Sequence, residues 1–245
     1  MIKIPEDINI ENYTLILPSV AVGNVGQLSV DLLISNLNLK NIGSIWSSAF
    51  LPIVGLNPYN ENSNSLCSTA DLYLGTTAKI VLLQLRSPCT GVPAEFYEEL
   101  SQFIYAKKIA KTVILTSSYD YERSNWSSYS LRFLASDQGL ENTLQNLGFE
   151  RHEQKFALTS AQKLLIPGGG FANGLYSHLL AQKLDCIVLF QCCSEGDNIS
   201  DALKLMKGLH RWLNLLQANV DESLDVQFPP SWNHLFGNPS SLDIY

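Results

Sequence analysis

Three consecutive glycines, Gly168–Gly170, follow the apolar run "LLIP" and precede a helix-like stretch. A strand, a glycine loop and a helix often form a phosphate site, because the first N–H groups of the helix point at the anion. The spacing to Gly174 fits a nucleotide-binding P-loop, but Leu175–Tyr176 stands where that loop needs Lys and Ser or Thr. Asn173 replaces the last glycine of the dinucleotide-binding fingerprint. We therefore favour a tight turn over a nucleotide site.

A second pair of glycines, Gly23 and Gly26, follows the first apolar segment and opens the first predicted helix. The position suits a ligand at the carboxyl edge of a sheet, but the G-x-x-G spacing is short and common, so turn geometry is again favoured. Arg86 ends the segment "VLLQLRS" and could pair with a phosphate or, as we favour, with a nearby carboxylate. An anion site built from these glycines and Arg86 stays open as the alternative.

No other pattern indicates catalysis or metal binding. The four histidines fit no HExxH frame, and the chain has no G-x-S-x-G nucleophile motif. Glu195 and Asp197 lie just before a predicted helix, where carboxylates favour the helix dipole without any chemistry. The five cysteines include no CxxC pair, and Cys192–Cys193 is interpreted as the end of a buried strand. We expect no catalytic residue, no cofactor and no metal ion.

Charge and hydropathy exclude two classes of partner. The formal net charge is −7, and the 16 Lys and Arg residues form no run longer than Lys107–Lys108. Nucleic acid and anionic membranes both require a basic surface, so neither is an expected partner. No secretory signal pattern and no membrane-spanning apolar stretch is present in the sequence. The odd number of cysteines, mostly in apolar runs, is typical of a reducing compartment, so we expect a cytoplasmic and nuclear protein.

Strand-like and helix-like segments alternate over most of the chain, which predicts an α/β fold with helices on both faces of a mixed, mostly parallel sheet. We predict one domain over residues 1–228 and a C-terminal tail over residues 229–245. The predicted strands are 13–17, 42–47, 69–74, 79–85, 112–116 and 185–191, with 69–85 as a hairpin and 55–68 as a surface loop or hairpin tip. The predicted helices are 25–37, 94–107, 140–147 and 199–216.

The last predicted helix has an apolar face that covers about half of its circumference, more than a surface helix usually needs. Leu205, Leu209 and Trp212 lie on this face, and Asn198 is a predicted N-cap with Asp201 three residues later. Either both flanks are buried within the domain, which we favour, or part of the face meets another chain. In the second case these three residues are candidates for partner binding.

The tail ends in an apolar and an aromatic residue, Ile244 and Tyr245, although chain termini are usually polar. Such an end could insert the aromatic ring into a pocket on a partner while the terminal carboxylate meets a lysine. A tail packed on its own domain is the other interpretation, and composition does not separate the two. We include Ile244 and Tyr245 among the candidate partner-binding residues.

Seven motifs, in order along nearly the whole chain, resemble the proteasome assembly chaperone 2 family. They are "LPSVAVGNVGQLSVDLLISNL" (17–37), "LPIVGLNPY" (51–59), "LQLRS" (83–87), "LRFLAS" (131–136), "IPGGG" (166–170), "SEGDNISDAL" (194–203) and "PPSWNHLFG" (229–237). The resemblance implies an α/β core similar to the phosphorylase/hydrolase-like fold and a chaperone that is not an enzyme.

The same resemblance implies the partners. It implies a heterodimer with proteasome assembly chaperone 1 that binds 20S proteasome α-subunits, promotes α-ring assembly and prevents off-pathway α-ring dimers, with no cofactor. Proteasome-binding tails in this wider group carry Tyr second from last, whereas here Ile244 holds that position and Tyr245 is last. The alternative is a phosphorylase- or hydrolase-like enzyme that binds an anion at Gly23, Gly26, Arg86 and Gly168–Gly170.

Overall fold

The structure, a computed structural model, describes residues 2–37, 39–122, 131–152, 166–216 and 225–234. Its strands within these ranges are β1 (Ile2–Lys3), β2 (Thr14–Pro18), β3 (Lys40–Ile45), β4 (Val54–Leu56), β5 (Leu66–Ser68), β6 (Ala70–Gly75), β7 (Ile80–Leu85), β8 (Lys111–Tyr119), β9 (Arg132–Ala135), β10 (Glu150–Arg151) and β11 (Cys186–Cys193). Its α-helices there are α1 (Val25–Asn36), α2 (Pro93–Ala106), α3 (Gln138–Asn146), α4 (Ala172–Ala181) and α5 (Ile199–Leu213).

One large mixed sheet organises the described chain, with strand order β1-β3-β6-β7-β2-β8-β11-β9-β10. Its centre is parallel, since β2 pairs in parallel with β7 and β8, and β8 pairs in parallel with β11. The strands β1, β3, β6 and β7 are joined by antiparallel pairs. Helices cover both faces of the central strands, so apolar side chains are buried on both sides of these strands. This is usual for parallel strands between two helical layers.

Alternate residues of the central strands supply two separate cores. Leu15, Ile114 and Val188 belong to the core that also contains apolar residues of α2 and α4. Ile16 and Val113 belong to the opposite core, which contains apolar residues of α1, α3 and α5. The predicted α/β architecture, with a mixed sheet between two helical layers, is therefore confirmed. None of the helices in the described ranges is both long and apolar enough to cross a membrane.

The central strands and helices lie close to their predicted positions. The hairpin predicted at 69–85 is the antiparallel pair β6–β7. The segment 55–68 is largely a second hairpin, in which β4 pairs antiparallel with β5. Cys192 and Cys193 end the buried strand β11, as predicted. The sequence analysis named no strand at β9, which lies between β11 and β10.

Asn198 lies at the N-cap position of α5, as predicted, but the expected capping hydrogen bond from its side chain is not formed. The Asn198 side chain does not cap α5; its Nδ2 donates to the Gly196 carbonyl (2.9 Å). The Asn198 side chain packs against the turn that precedes α1. A Cβ on Gly23 in that turn would lie 2.5 Å from Asn198 Nδ2. Asp197 Oδ1 instead accepts from the Ile199 amide (3.0 Å), so the carboxylate serves the helix start, as the dipole argument predicts.

Candidate partner-binding surface

The glycine loop at residues 166–170 is held to the ends of strands β2 and β8 by side-chain hydroxyls. Ser19 Oγ and Thr116 Oγ1 both donate to the Gly169 carbonyl at 2.9 Å, and Ser118 Oγ donates to the Pro167 carbonyl at 2.9 Å. At the start of α4, the Ala172 amide donates to Ser19 Oγ (3.1 Å). These polar groups bind the protein's own main chain.

Gly170 shows why this loop needs glycine. Its φ is +60°, in the left-handed region, and a Cβ there would lie 2.0 Å from the Val20 carbonyl oxygen. A side chain would therefore strain the backbone and collide with the β2–α1 connection. The turn that the sequence predicts between an apolar run and a helix is explained by this close packing; Leu164 and Leu165, which precede it, lie outside the described residues.

A polar cluster lies at the carboxyl end of β7, below the β4–β5 hairpin. Arg86 Nη1 forms an ion pair with Asp71 Oδ2 at 3.0 Å, and the two side chains are 18% and 5% exposed. Arg86 Nη2 donates to Tyr59 Oη (3.0 Å) and to Tyr73 Oη (3.3 Å). The Asp71 carboxylate also accepts from the Ser68 hydroxyl (2.7 Å). Arg86 therefore pairs with a local carboxylate, as the sequence favours.

Asp31 on α1 is a second acid in the same cluster. Its Oδ1 accepts from Tyr59 Oη and from Gln84 Nε2, each at 2.5 Å. Burial raises the pKa of the Asp31 carboxyl; hydrogen bonds from Tyr59 and Gln84, the charge of Arg86 and hydrogen bonding from Trp232 partly oppose the rise. Burial and the charge of Asp31 raise the pKa of Tyr59, so its phenol stays a donor. The cluster ties helix, sheet and hairpin together.

The hairpin held by this cluster presents an apolar face to solvent. Leu56 and Leu66 are directly opposite each other across the two strands, and Val54 lies two residues from Leu56 on the same side. All three side chains are exposed. On the opposite side of the hairpin, Cys67 is buried with its Sγ 3.7 Å from Tyr73 Oη, which holds β5 against the sheet.

A groove of about 540 Å³ lies between the hairpin and the strands β3 and β6. Trp46, Val54 and Leu66 contribute apolar walls, and Asp71 and Tyr73 contribute polar ones. Trp46 is itself about half exposed. The hairpin and its groove thus form the largest group of exposed apolar side chains that we identify in the described ranges; we call Trp46, Val54, Leu56 and Leu66 the hairpin surface.

The described start of the predicted tail, residues 229–234, packs beside this hairpin. Trp232 is buried in the core that contains α1 and α5 and stacks on Phe228 with ring centroids 5.7 Å apart. The Ser231 amide donates to the Pro58 carbonyl (3.3 Å), which fixes the segment to the base of the hairpin. Where the domain ends and the tail begins stays a prediction.

The candidate partner residues of the last helix have different surroundings. Leu205 and Leu209 are fully buried in the core that also contains Leu32 and Leu33 of α1, so they offer a partner no accessible surface. Trp212 is partly buried, and Lys111 Nζ lies 5.6 Å from its ring centroid. The wide apolar face thus packs largely inside the chain, which is the interpretation favoured from the sequence.

Ile244 and Tyr245 lie outside the described residues, and their role in partner binding stays a prediction, as does that of Trp212. Among the residues that are described, no group of three or more His, Cys, Asp and Glu side chains is placed to hold a metal ion. The hairpin surface and the acids Asp31 and Asp71 are not predicted from the sequence. One signal was available: Gln84 interrupts an apolar strand, and the polar Gln27 and Asp31 lie one turn apart on α1.

A sequence model of the PAC2 family matches residues 15–215. The chain belongs to the PAC2 family. Its relatives include proteasome assembly chaperone 2 of Danio rerio, which is 34% identical over 241 residues and is covered to 93% in both chains. The protein of the same name from Bos taurus is 35% identical over 242 residues, with 92% of each chain covered. The Homo sapiens protein is 34% identical over 247 residues, with 94% of each covered.

Several solved structures share the fold. Pyrococcus furiosus PbaA, an archaeal homolog of proteasome-assembly chaperone, superposes with a TM-score of 0.70 and 16% identity, covering 90% of this chain and 88% of its own. Pyrococcus furiosus PbaB, an archaeal proteasome activator, gives a TM-score of 0.65 at 13% identity, with 89% and 90% covered. At such identities the likeness concerns the fold alone. The family resemblance stated from the sequence motifs is confirmed by the more closely related chaperones.

Proposed function

We propose that this chain is a proteasome assembly chaperone subunit. One observation carries the proposal: several vertebrate proteins named proteasome assembly chaperone 2 are about a third identical to this chain over more than nine-tenths of its length. The family match over residues 15–215 includes both helical layers and the sheet except its edge strand β1, far more than any single loop.

The finer proposal concerns partners. This subunit forms a heterodimer with proteasome assembly chaperone 1, and the heterodimer binds 20S α-subunits, promotes α-ring assembly and prevents off-pathway α-ring dimers in the cytoplasm and nucleus. The exposed hairpin surface supports a binding role, because a subunit of a complex needs apolar surface to contact its partners. A folded contact and a tail ending in Ile244 and Tyr245 would raise each other's effective concentration while each stays weak enough to release.

The chaperone is proposed to act without catalysis or a cofactor. The alternative of an anion-binding enzyme is not favoured by the contacts at its residues. Arg86 is engaged by Asp71, Tyr59 and Tyr73, and the hydroxyls at the glycine loop donate to carbonyl groups. A phosphate would have to displace these bonds in order to bind there.

Co-expression with the proteasome assembly chaperone 1 subunit of the same organism tests the proposal. Size-exclusion chromatography with light scattering should give a one-to-one complex, and affinity capture of that complex should retain 20S α-subunits. Deletion of Leu242–Tyr245 should leave the heterodimer intact and weaken α-subunit retention, whereas the control Ser241→Ala should do neither. A chain that stays alone and retains no α-subunits would contradict the proposal, and binding of inorganic phosphate should then be measured by calorimetry.

A further inference from the structure

The three apolar side chains of the hairpin are exposed to an unusual degree for their size. The exposed fractions are 64% for Val54, 74% for Leu56 and 65% for Leu66, and all three lie on one side of the hairpin. Single exposed apolar residues are normal on a protein surface, but a contiguous apolar set marks an interaction site.

Within the described part of the chain, the outer edge of β4 also has unpaired backbone groups. The Asn57 amide donates to the Ser65 carbonyl (3.1 Å), which makes this pair a hydrogen-bonded one. Because such pairs alternate along an antiparallel ladder, the N–H and C=O groups of Leu56 and Val54 point away from β5. No partner for these four groups is found among the described residues, so β4 is an open edge that can accept another strand.

This edge is preformed. Tyr59 fixes one end of the hairpin through Asp31 and Arg86, and Ser68 fixes the other through Asp71. The Ile53 amide, just before β4, donates to Thr69 Oγ1 at 2.8 Å. A strand held at both ends loses little conformational entropy when a partner binds, which favours its use as a docking element.

The available area fits a subunit interface. The exposed fractions of the four hairpin-surface side chains are between 53% and 74%. If a fully exposed large side chain has an area of about 200 Å², these residues expose roughly 500 Å² together. A standard interface buries about 800 Å² on each partner, so this patch supplies more than half of one side.

We propose that β4 is the docking strand for the related subunit of the heterodimer. An extended apolar segment of that subunit pairs with the outer edge of β4 and covers Val54, Leu56 and Leu66. This inference rests on the proposed function, which supplies the related subunit as the occupant. The mode is strand addition, in which main-chain hydrogen bonds give affinity and alternate side chains give specificity.

The test uses full-length chains and measures the dissociation constant of the heterodimer with proteasome assembly chaperone 1. Val54→Glu introduces a charge into the proposed interface, and Val92→Glu is its matched control, because Val92 is also a valine and is 63% exposed. We expect at least a tenfold weaker complex for Val54→Glu and a change within twofold for Val92→Glu. Leu66→Glu, on the same side of the hairpin, is the second variant should Val54→Glu fail to fold.

A pair of variants at Leu56 tests strand addition itself. Leu56→Ala removes the side chain, whereas Leu56→Pro also removes the outward N–H while leaving the hydrogen bonds between β4 and β5 in place. Leu56→Pro should bind at least fivefold more weakly than Leu56→Ala; equal affinities would overturn strand pairing. Thermal unfolding of each free variant checks that the fold is kept.

The outcomes separate the inference from the proposed function. If the unaltered chain forms no heterodimer, the proposed function fails and this inference falls with it. If the unaltered heterodimer forms and both Val54→Glu and Leu66→Glu bind as well as Val92→Glu, only the inference is overturned. A Val54→Glu heterodimer of full affinity that no longer retains α-subunits would also overturn it, because the hairpin surface would then face the α-subunits.

Discussion

Polar side chains gather at strand ends in two regions of this molecule, and the two regions use them differently. At the glycine loop, Ser19, Thr116 and Ser118 donate to main-chain carbonyls and close the structure on itself. At the hairpin, Arg86 and Asp71 bind each other and hold up a strand pair whose outer side stays apolar and exposed.

The difference shows how to distinguish a segment that serves only packing from a candidate binding site. A glycine-rich turn before a helix fits an anion site in sequence, but the space for a Cβ at each of its glycines is filled by neighbouring main-chain and side-chain atoms. The hairpin has no catalytic or ligand-binding motif, yet its apolar side chains are exposed to solvent, and the outer edge of β4 has no partner strand among the described residues. In this fold, uncovered surface is therefore better evidence for function than a glycine pattern is.

The largest effect is expected in the glycine loop. Gly170→Val should reduce the free energy of unfolding by about 4 kcal/mol, because it adds a Cβ against the Val20 carbonyl at a left-handed φ. Gly55→Val in β4 is the control, since a Cβ there meets nothing within 4 Å, and it should change stability by about 0.5 kcal/mol or less. Denaturant unfolding measures both. A fully stable Gly170→Val protein would contradict the packing explanation of the loop.

The next effect is expected at the buried ion pair. Arg86→Met should cost about 3 kcal/mol of unfolding free energy, because it leaves Asp71 buried without its cation. Lys204→Met, which removes a far more exposed ion pair with Asp201, should cost about 0.5 kcal/mol or less. Similar losses in the two variants, measured by denaturant unfolding, would show that the hairpin does not depend on the Arg86 cluster.

A smaller effect is expected where the C-terminal segment meets the same cluster. Trp232→Phe keeps an aromatic ring but shortens a buried side chain in the core that contains α1 and α5, so it should cost about 1 kcal/mol. Trp232→Leu, which also removes the ring stacked on Phe228, should cost more. Thermal unfolding with a van't Hoff analysis measures these losses; an unchanged Trp232→Phe protein would mean that the ring alone anchors the segment.

The smallest effect is a pH dependence. Because the pKa of Asp31 is raised in the folded state, its contribution to stability is full below its ordinary value of 3.8 and is lost as pH rises through the folded pKa. The stability of the unaltered chain relative to Asp31→Asn should therefore fall over the pH range that begins near 3.8. Denaturant unfolding at intervals across this range measures the difference, with Glu6→Gln as an exposed control. A relative stability that rises with pH would contradict the sign of the shift.

The sequence predicts the centre of this fold better than its edges, for a physical reason. Short segments with an apolar centre, such as 112–116 in β8 and 186–190 in β11, indicate buried strands, and the helices between the strands follow from their apolar spacing. The sequence also predicts a carboxylate for Arg86, but the choice of Asp71 depends on β6 lying beside β7, and strand order is not visible in one sequence. Burial of Leu205 and Leu209 likewise depends on where α1 packs.

The hairpin surface could not be predicted because its sequence is polar and rich in turn residues between Asn57 and Ser65, which indicates a loop. The three-residue strand β4 is too short for a periodic signal, and exposure of Val54 and Leu56 is a property of the folded surface. A PAC2-family match predicts the fold that carries the hairpin but does not assign it a role.

Amide hydrogen exchange of the chain, alone and in complex with proteasome assembly chaperone 1, can show whether the partner binds at β4 or at the glycine loop. We expect the amides of Val54 and Leu56 to exchange at least tenfold more slowly in the complex. The amides of Gly168–Gly170 should keep the same rates. A complex that protects the glycine loop and leaves β4 unchanged would contradict this expectation.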